Sequence, residues 1–291
     1  NANFGLKMSE NQSNRFPGVQ IEILHIVSAC IFGAMVRIWL LWEKPFWRDE
    51  AWVAAMTRLS FEEMLASDLP APVGFVMAAK ISDGLGFFPP EAALRLPSLF
   101  AGLCILLLAP LLVHLTGGTR RAVILTAWLT AGCQPLIYYS RELKHYGMDT
   151  FFWLLGVCLL LYFMGRNRRS PKGAVLSAVF VTTLFLAPWF SMASLFPLAA
   201  ALLLALASCF RREWWKGLVV VALYATIYAA SFAVMLVTSL RPKMENPRLW
   251  AFWEQAQRLF SYDVWPHPDQ VYRAFHWFFS ESYHYVFPFL G

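Results

Sequence analysis

Long apolar runs separated by short polar stretches dominate the hydrophobicity pattern of this chain. The runs are continuous and do not alternate between apolar and polar positions, so they predict helices and not the strands of a membrane barrel. A helix needs about 20 apolar residues to cross the hydrocarbon core of a bilayer. Runs of about this length occur at roughly 21–42, 95–116, 121–139, 148–165, 173–189, 192–210 and 217–240. The pattern therefore predicts an all-α polytopic membrane protein with a seven-span helical module.

The segment 43–94, between the first two runs, predicts helices that lie at the membrane surface. Residues 51–66 place apolar side chains at helical spacing with charged residues elsewhere, which predicts a helix in the interface plane. The run 72–85 is too short to cross the bilayer and carries Lys80 and Asp83. It predicts a juxtamembrane or re-entrant helix and not an eighth span.

The same pattern divides the chain into three regions. Residues 1–20 form a polar tail, and residues 21–240 contain the spans together with the outer loop 43–94. Residues 241–291 interleave aromatic residues with charged ones. Because aromatic side chains concentrate at membrane–water interfaces, this last region is predicted to be an interfacial segment.

Composition and charge add the class and the orientation. Hydrophobic residues make up 58% of the chain and charged residues only 14%, which is typical of an integral membrane protein. The excess of Lys and Arg lies in the N-terminal tail and in the short loops 117–121, 166–172 and 211–216. Short basic loops face the cytoplasm, so the N-terminus is predicted to be cytoplasmic and the regions 43–94, 138–146 and 241–291 extracytoplasmic. This distribution accounts for the net charge of +6, so the charge does not indicate a nucleic-acid partner.

The first candidate site is the acidic pair Asp49 and Glu50, which lies between Trp47 and Trp52 just after the first run. A carboxylate at the water edge of a bilayer can accept a proton from an attacking hydroxyl, or bind a divalent metal that neutralises a leaving phosphate. The alternative is structural, because Asp is a preferred N-cap for a following helix.

The second candidate site is the segment 138–149, between the third and fourth runs. It combines Arg141 and Lys144, which can hold a phosphate, with carboxylates, a histidine and tyrosines that can line a sugar pocket. The alternative is a solvated hairpin with interfacial tyrosines. Two further arginines lie at ends of the runs. Arg37 is predicted to extend to the outer interface, and Arg95 to begin a helix that has a proline near its first turn.

The order of these motifs resembles a known family. The acidic pair, a proline-containing amphipathic helix, the sequence Arg95-Leu-Pro-Ser and the hinge Tyr139-Ser-Arg-Glu-Leu-Lys-His-Tyr146 follow one another along the chain. Together they resemble the bacterial C-type (GT-C) membrane glycosyltransferases that use polyprenyl-phosphate sugars, a group similar to protein O-mannosyltransferases and lipid A aminoarabinose transferases. The resemblance covers about residues 21–240.

The resemblance implies an activity and a location. A protein of this family would lie in the inner (plasma) membrane with its active site on the extracytoplasmic face. It would transfer a sugar, with inversion, from a polyprenyl-phosphate donor to a lipid, glycan or protein acceptor.

The resemblance also implies roles for individual residues. Asp49 matches the family's essential acid, a general base or metal ligand, and Glu50 matches its neighbour. Glu142 and Lys144 match the acidic and basic residues of the second outer hinge, which would engage the donor phosphate or a divalent metal. Mg²⁺ or Mn²⁺ bound by Asp49 and Glu142 is therefore expected. The other expected donor-binding residues are Arg95, Arg141, His145, Tyr146 and Asp149.

Two departures from the family pattern support an alternative function. Leu69-Pro70-Ala71-Pro72 stands where many relatives carry His-Pro-Pro, and relatives usually run on into more spans or an outer domain that helps to choose the acceptor. Either that acceptor-recognition part is missing here, or another membrane subunit supplies it. The alternative is a non-catalytic scaffold or accessory subunit of a membrane complex. A transporter is a third alternative, although the runs show no charge relay at mid-depth.

Overall fold

The structure, a computed structural model, describes residues 16–39, 41, 44–67, 71–165, 171–211 and 213–244. Most of the predicted cytoplasmic tail and nearly all of the predicted interfacial segment 241–291 lie outside these ranges. Within them the chain is helical and contains no strand, which confirms the all-α prediction.

The described helices are numbered in chain order. They are α1 (Phe16–Ile38), α2 (Arg48–Met56), α3 (Phe61–Ala66), α4 (Val73–Gly84), α5 (Pro90–Leu115), α6 (Arg120–Gly132), α7 (Gln134–Ser140), α8 (Tyr146–Gly165), α9 (Pro171–Phe190), α10 (Leu195–Arg211), α11 (Trp215–Met235) and α12 (Arg241–Met244). A π-helical turn, Leu236–Leu240, joins the last two.

The prediction of seven spans is supported only in part. Among the described residues, three helical stretches are long and apolar enough to cross a membrane, namely Pro90–Leu115, Tyr146–Met164 and Trp215–Leu240. The pair α6 and α7 is a fourth if it is counted as one broken span. Each predicted run overlaps described helical residues, but α9 and α10 have shorter apolar stretches, Val175–Phe190 and Leu195–Arg211.

The predicted span 121–139 is broken at Cys133, where α6 and α7 meet at a bend of 53°. Pro135, in the first turn of α7, has no backbone N–H to donate to the carbonyl of Ala131 four residues earlier. The guanidinium of Arg37 supplies a donor in its place: it donates to the carbonyl of Ala131 at 3.2 Å and also to that of Thr130 at 3.0 Å. Arg37 is therefore fully buried, and the prediction that it extends to the outer interface was wrong.

The surface helix predicted over 51–66 is two helices, α2 and α3. The break occurs because Ser60 begins a new helix: its hydroxyl accepts the backbone N–H of Glu63 at 3.2 Å, and the Glu63 carboxylate accepts the N–H of Ser60 at 2.7 Å. The N-cap position that the structural alternative gave to Asp49 is occupied by Trp47, and Asp49 lies within the first turn of α2.

Helix α5 occupies the centre of the packing and contacts α1, α4, α6, α7 and α8. Its close approach to α7 depends on Gly102, because a Cβ atom there would lie 2.0 Å from the hydroxyl oxygen of Ser140. At the N-terminal end of α5, Arg95 and Ser98 are buried beside the segment 141–145 that links α7 to α8. This end of the bundle brings the two predicted sites together.

Candidate functional site

The N-terminal turns of α2 and α5 meet at a buried ion pair between Glu50 and Arg95. The Nε and Nη2 atoms of Arg95 donate to the two carboxylate oxygens of Glu50 at 2.9 and 2.8 Å. Both side chains are 0% exposed. Two parallel charge-assisted hydrogen bonds between fully buried side chains hold the two helices in a fixed orientation.

The remaining N–H groups of Arg95 bind backbone. They donate to the carbonyls of Leu41 at 3.1 Å, Lys44 at 2.7 Å and Pro45 at 3.4 Å. All five guanidinium N–H groups therefore have protein acceptors. Arg95 therefore has no free N–H group for a phosphate. It was predicted to bind the donor, but its bonds to protein groups are those of a positioning residue.

Glu50 also reaches the segment 141–145. Its carboxylate accepts the backbone N–H of Leu143 at 2.6 Å, and at longer range that of Trp47 at 3.4 Å. With the Arg95 bonds these contacts occupy both oxygens. Glu50 was predicted to be catalytic, but its buried position makes it a link between the outer loop, α5 and the second predicted site.

Asp49 is the accessible member of the acidic pair. Neighbouring residues on a helix point about 100° apart, so Asp49 faces away from the buried pair. Its carboxylate accepts a hydrogen bond from Lys144 Nζ at 3.0 Å. The side chain of Asp49 is 35% exposed, whereas that of Lys144 is 15% exposed. The ammonium also lies 5.2 Å from the centre of the Trp47 ring. The structure thus joins the first predicted site to the second through one ion pair.

Glu142 lies on the other side of Trp47 and is nearly fully buried. One of its oxygens pairs with Lys44, and the other accepts from the indole Nε1 of Trp47 at 2.5 Å. Lys44, Tyr138, Arg141 and Glu142 line a polar cavity of about 100 Å³. Burial lowers the pKa of Arg141 below its ordinary value; the charge of Glu142 opposes this in part, and the charge of Arg95 adds a smaller lowering.

His145, Tyr146 and Asp149 form the third part of the site. The His145 ring lies between Phe75 and Tyr146, with its Nε2 atom 4.0 Å from a carboxylate oxygen of Asp149. Burial and, to a lesser degree, the Lys144 charge lower the pKa of His145 to about 4, so the imidazole is neutral at pH 7. Tyr146 is half exposed and stacks edge to face on Tyr139 at 4.9 Å.

The expected metal ligands do not form a metal site in the described part of the chain, where no group of three His, Cys, Asp or Glu residues could hold an ion. Glu142 does not suit a metal because both of its carboxylate oxygens already accept hydrogen bonds from N–H donors, and one of these donors is a cation. Asp49 is likewise paired with a cation, Lys144. The predicted pairing of Asp49 and Glu142 around Mg²⁺ or Mn²⁺ does not fit this arrangement.

An apolar groove of about 730 Å³ lies beside the polar site and was missed by the sequence analysis. Residues of α4, α5, α8 and α9 line it, including Phe100, Met148, Phe152 and Phe190. Met148 and Phe152 are one helical turn apart on α8. That spacing is the only sequence signal for the groove, and it is common to any buried helix face.

Two residues of the polar site were also missed. Lys44 and Trp47 both bind Glu142, and Trp47 in addition covers Lys144. Tryptophan at a membrane interface is ordinarily an anchor, so its sequence position alone does not indicate a hydrogen bond to a buried carboxylate.

Comparison with known proteins identifies no relative of this chain: no protein-family model, curated protein or solved structure matches it.

Proposed function

We propose that the chain is a C-type membrane glycosyltransferase that moves a sugar from a polyprenyl-phosphate donor to an acceptor hydroxyl on the extracytoplasmic face of a bacterial inner membrane. The observation that carries the proposal is the placement of Asp49. It is the accessible carboxylate at the junction of α2 and the segment 141–145, and it is held by Lys144 at 3.0 Å. The proposal includes the full seven-span module of that family.

The apolar groove supports a lipid-borne donor. Its lining is almost wholly aliphatic and aromatic, and its volume of about 730 Å³ is within the range of ligand pockets in proteins, roughly 300 to 1,000 Å³. Met148 and Pro97 line it, and Ser98, next to Pro97, donates to the backbone carbonyl of Lys144 at 2.9 Å. A polyprenyl tail in the groove would therefore place its phosphate near the cations of the segment 141–145.

Two cations are assigned to the phosphate. Arg141 lines the small polar cavity. Among the described residues Arg141 has no ion-pair partner, and the one ion pair of Lys144 is with the partly exposed Asp49. A planar guanidinium suits a phosphate because it can donate two parallel hydrogen bonds. Since both oxygens of Glu142 are engaged, these protein cations, and not a metal, neutralise the leaving group in the proposed reaction.

The proposed reaction is a single displacement. The acceptor oxygen attacks the anomeric carbon and forms the new C–O bond, while the bond from that carbon to the phosphate oxygen breaks and its electron pair leaves with the phosphate. Asp49 takes the proton of the acceptor hydroxyl. Attack opposite the leaving group inverts the configuration at the anomeric carbon. Glu50 and Arg95 act as positioning residues that hold α2 against the segment 141–145.

The test is transfer of labelled sugar from a panel of polyprenyl-phosphate donors in membranes, comparing wild type with Asp49→Asn at matched expression. Loss of a general base typically lowers a rate by about 10² to 10⁴ fold, and we expect a loss in that range. Asp83→Asn is the matched control, because Asp83 is a carboxylate of the outer loop whose only described ion pair is with the exposed Arg58 at 3.7 Å. Equal transfer by wild type and Asp49→Asn would contradict the proposal.

The second candidate function is a non-catalytic scaffold or accessory subunit. The pairing of the charged residues favours it, because each of the three carboxylates already has a cationic partner. The pairs are Glu50 with Arg95, Glu142 with Lys44, and Asp49 with Lys144. A scaffold would show no transfer with any donor even when partner subunits are present. It would also remain bound to those partners in the Asp49→Asn variant.

A further inference from the structure

Trp47 contacts both ion pairs of the polar site. Its indole Nε1–H donates to one oxygen of Glu142 at 2.5 Å, and its ring centre lies 5.2 Å from the ammonium of Lys144, which pairs with Asp49. The other oxygen of Glu142 pairs with Lys44. Trp47 is nevertheless 41% exposed, so its role is not to fill the core. These contacts connect Trp47 with the charged groups of the site.

The bond from Trp47 to Glu142 bears on the state of Arg141. Glu142 and Arg141 line the same cavity of about 100 Å³, yet among the described residues Arg141 has no ion-pair partner. A guanidinium ordinarily forms strong paired hydrogen bonds with a nearby carboxylate. Here both oxygens of Glu142 already accept, one from Lys44 and the other from Trp47. Arg141 would have to compete with these two donors to pair with Glu142.

The backbone around Trp47 holds its side chain in this position. Trp47 is the N-cap residue of α2, and its carbonyl accepts the backbone N–H of Ala51 at 2.9 Å. The segment just before it is fixed by Arg95, which donates to the carbonyl of Lys44 at 2.7 Å. A long arginine side chain loses more conformational freedom when it is immobilised than a short, rigid one does. The indole is therefore well placed to keep the second oxygen of Glu142.

We infer that Trp47 is a positioning residue that keeps Arg141 available for the phosphate of the lipid donor; this inference rests on the proposed function. By occupying the second oxygen of Glu142 with a neutral N–H, the indole prevents that carboxylate from pairing with Arg141. The guanidinium then keeps its N–H groups for an anion in the cavity. Without the indole, Arg141 would pair with Glu142, and its charge would be cancelled at the place where the phosphate binds.

The experiment measures binding of a short-chain polyprenyl phosphate to the detergent-solubilised protein by calorimetry, with the matching polyprenyl alcohol as the uncharged comparison. We expect wild type to bind the phosphate more tightly than the alcohol. Trp47→Phe keeps a ring but loses the N–H, and we expect it to bind the phosphate about tenfold more weakly, as for the loss of one hydrogen bond to a charged group. Its binding of the alcohol is expected to stay unchanged.

Trp128→Phe is the matched control for this substitution. Trp128 of α6 is similarly exposed, at 39%, and its ring pairs with that of Phe32 at 6.2 Å. We expect Trp128→Phe to bind the phosphate as wild type does. A loss of affinity in this control as large as that in Trp47→Phe would overturn the inference, because the effect would then not depend on the bond to Glu142.

A double variant separates the inferred role from a general loss of structure. Glu142→Gln removes the charge that would attract Arg141, so in the Trp47→Phe background it is expected to restore phosphate binding to near the wild-type value. Damage to the fold would instead accumulate when a second buried contact is changed. Restoration is thus a result that a merely structural role of Trp47 does not produce.

Equal phosphate affinity of wild type and Trp47→Phe would overturn the inference, and so would a loss that Glu142→Gln does not restore. Both results would leave the proposed function standing. Equal binding of phosphate and alcohol by wild type would overturn the inference and the proposed function together. The expected binding pattern without sugar transfer would support the inference and contradict only the enzymatic reaction.

Discussion

The adjacent residues Asp49 and Glu50 have opposite environments although their chemistry is nearly the same. Glu50 is fully buried in a bidentate pair with Arg95, and Asp49 is 35% exposed and paired with Lys144. The difference follows from helix geometry, which turns neighbouring side chains about 100° apart. One carboxylate therefore supports the structure, and the other is the one we propose to be reactive.

At this scale we expect Glu50→Gln to destabilise the fold by about 3 kcal/mol or more. The amide cannot neutralise Arg95, and removing one member of a buried ion pair leaves an uncompensated buried charge. Unfolding in mixed detergent micelles measures the loss. Asp83→Asn, which breaks an ion pair with a largely exposed arginine, is expected to cost under about 1 kcal/mol. Equal costs for the two variants would contradict the structural role of Glu50.

The lowered pKa of His145 leads us to expect that the stability of the fold depends on pH. Its folded-state pKa of about 4 lies below the ordinary value near 6.5, so the unfolded chain binds more protons between these values and acidification favours unfolding. We expect stability to fall by about 2 kcal/mol between pH 7 and pH 5 through this residue. Unfolding of wild type and His145→Gln at both pH values isolates the effect. An unchanged pH dependence in the variant would show that other groups cause it.

At the scale of elements, the break between α6 and α7 depends on a residue of a third helix. Pro135 removes a donor that the carbonyl of Ala131 needs, and Arg37 of α1 supplies another. Sequence alone predicts that proline disturbs a helix. It does not reveal which side chain then binds the freed carbonyls, because the partner is more than 90 residues away in the chain.

We expect Arg37→Met to cost about 2 kcal/mol or more, because two buried carbonyls lose their donors. In that background Pro135→Ala is expected to restore part of the stability, since residue 135 regains an N–H that can bond the Ala131 carbonyl. Unfolding of the two single variants and the double variant measures this coupling. Strictly additive effects would mean that Arg37 does not act through the break.

At the scale of the whole molecule, the orientation predicted from loop charges has a direct test. Phe87, 78% exposed in the loop between α4 and α5, is predicted to be extracytoplasmic, and Thr116, at the end of α5, cytoplasmic. In a background without the five native cysteines, Phe87→Cys is expected to react with a membrane-impermeant thiol reagent in intact cells. Thr116→Cys is expected to react only after permeabilisation. The reverse labelling pattern would invert the topology and place the site in the cytoplasm.

The helical class and the positions of the helices could be predicted from the sequence, because long apolar runs have one stable backbone form in a bilayer. The number of spans is confirmed only in part: the continuous run 121–139 is two helices, and within the described ranges three stretches, or four with that bent pair, have the length and apolarity of a span. The breaks at Ser60 and Pro135 came from local capping and from a missing donor, which hydrophobicity averaged over a window does not register.

The sequence by itself determined the all-helical class and the two segments that carry the polar chemistry, since these depend on local composition. Only the tertiary structure decided that Glu50 and Arg95 bind each other, that Asp49 meets Lys144, and that an apolar groove lies beside them. The partners are 45 residues apart in the first pair and 95 in the second. Contacts at such separations depend on how helices pack, and a residue's burial and charge partner, which set its chemistry, appear only with that packing.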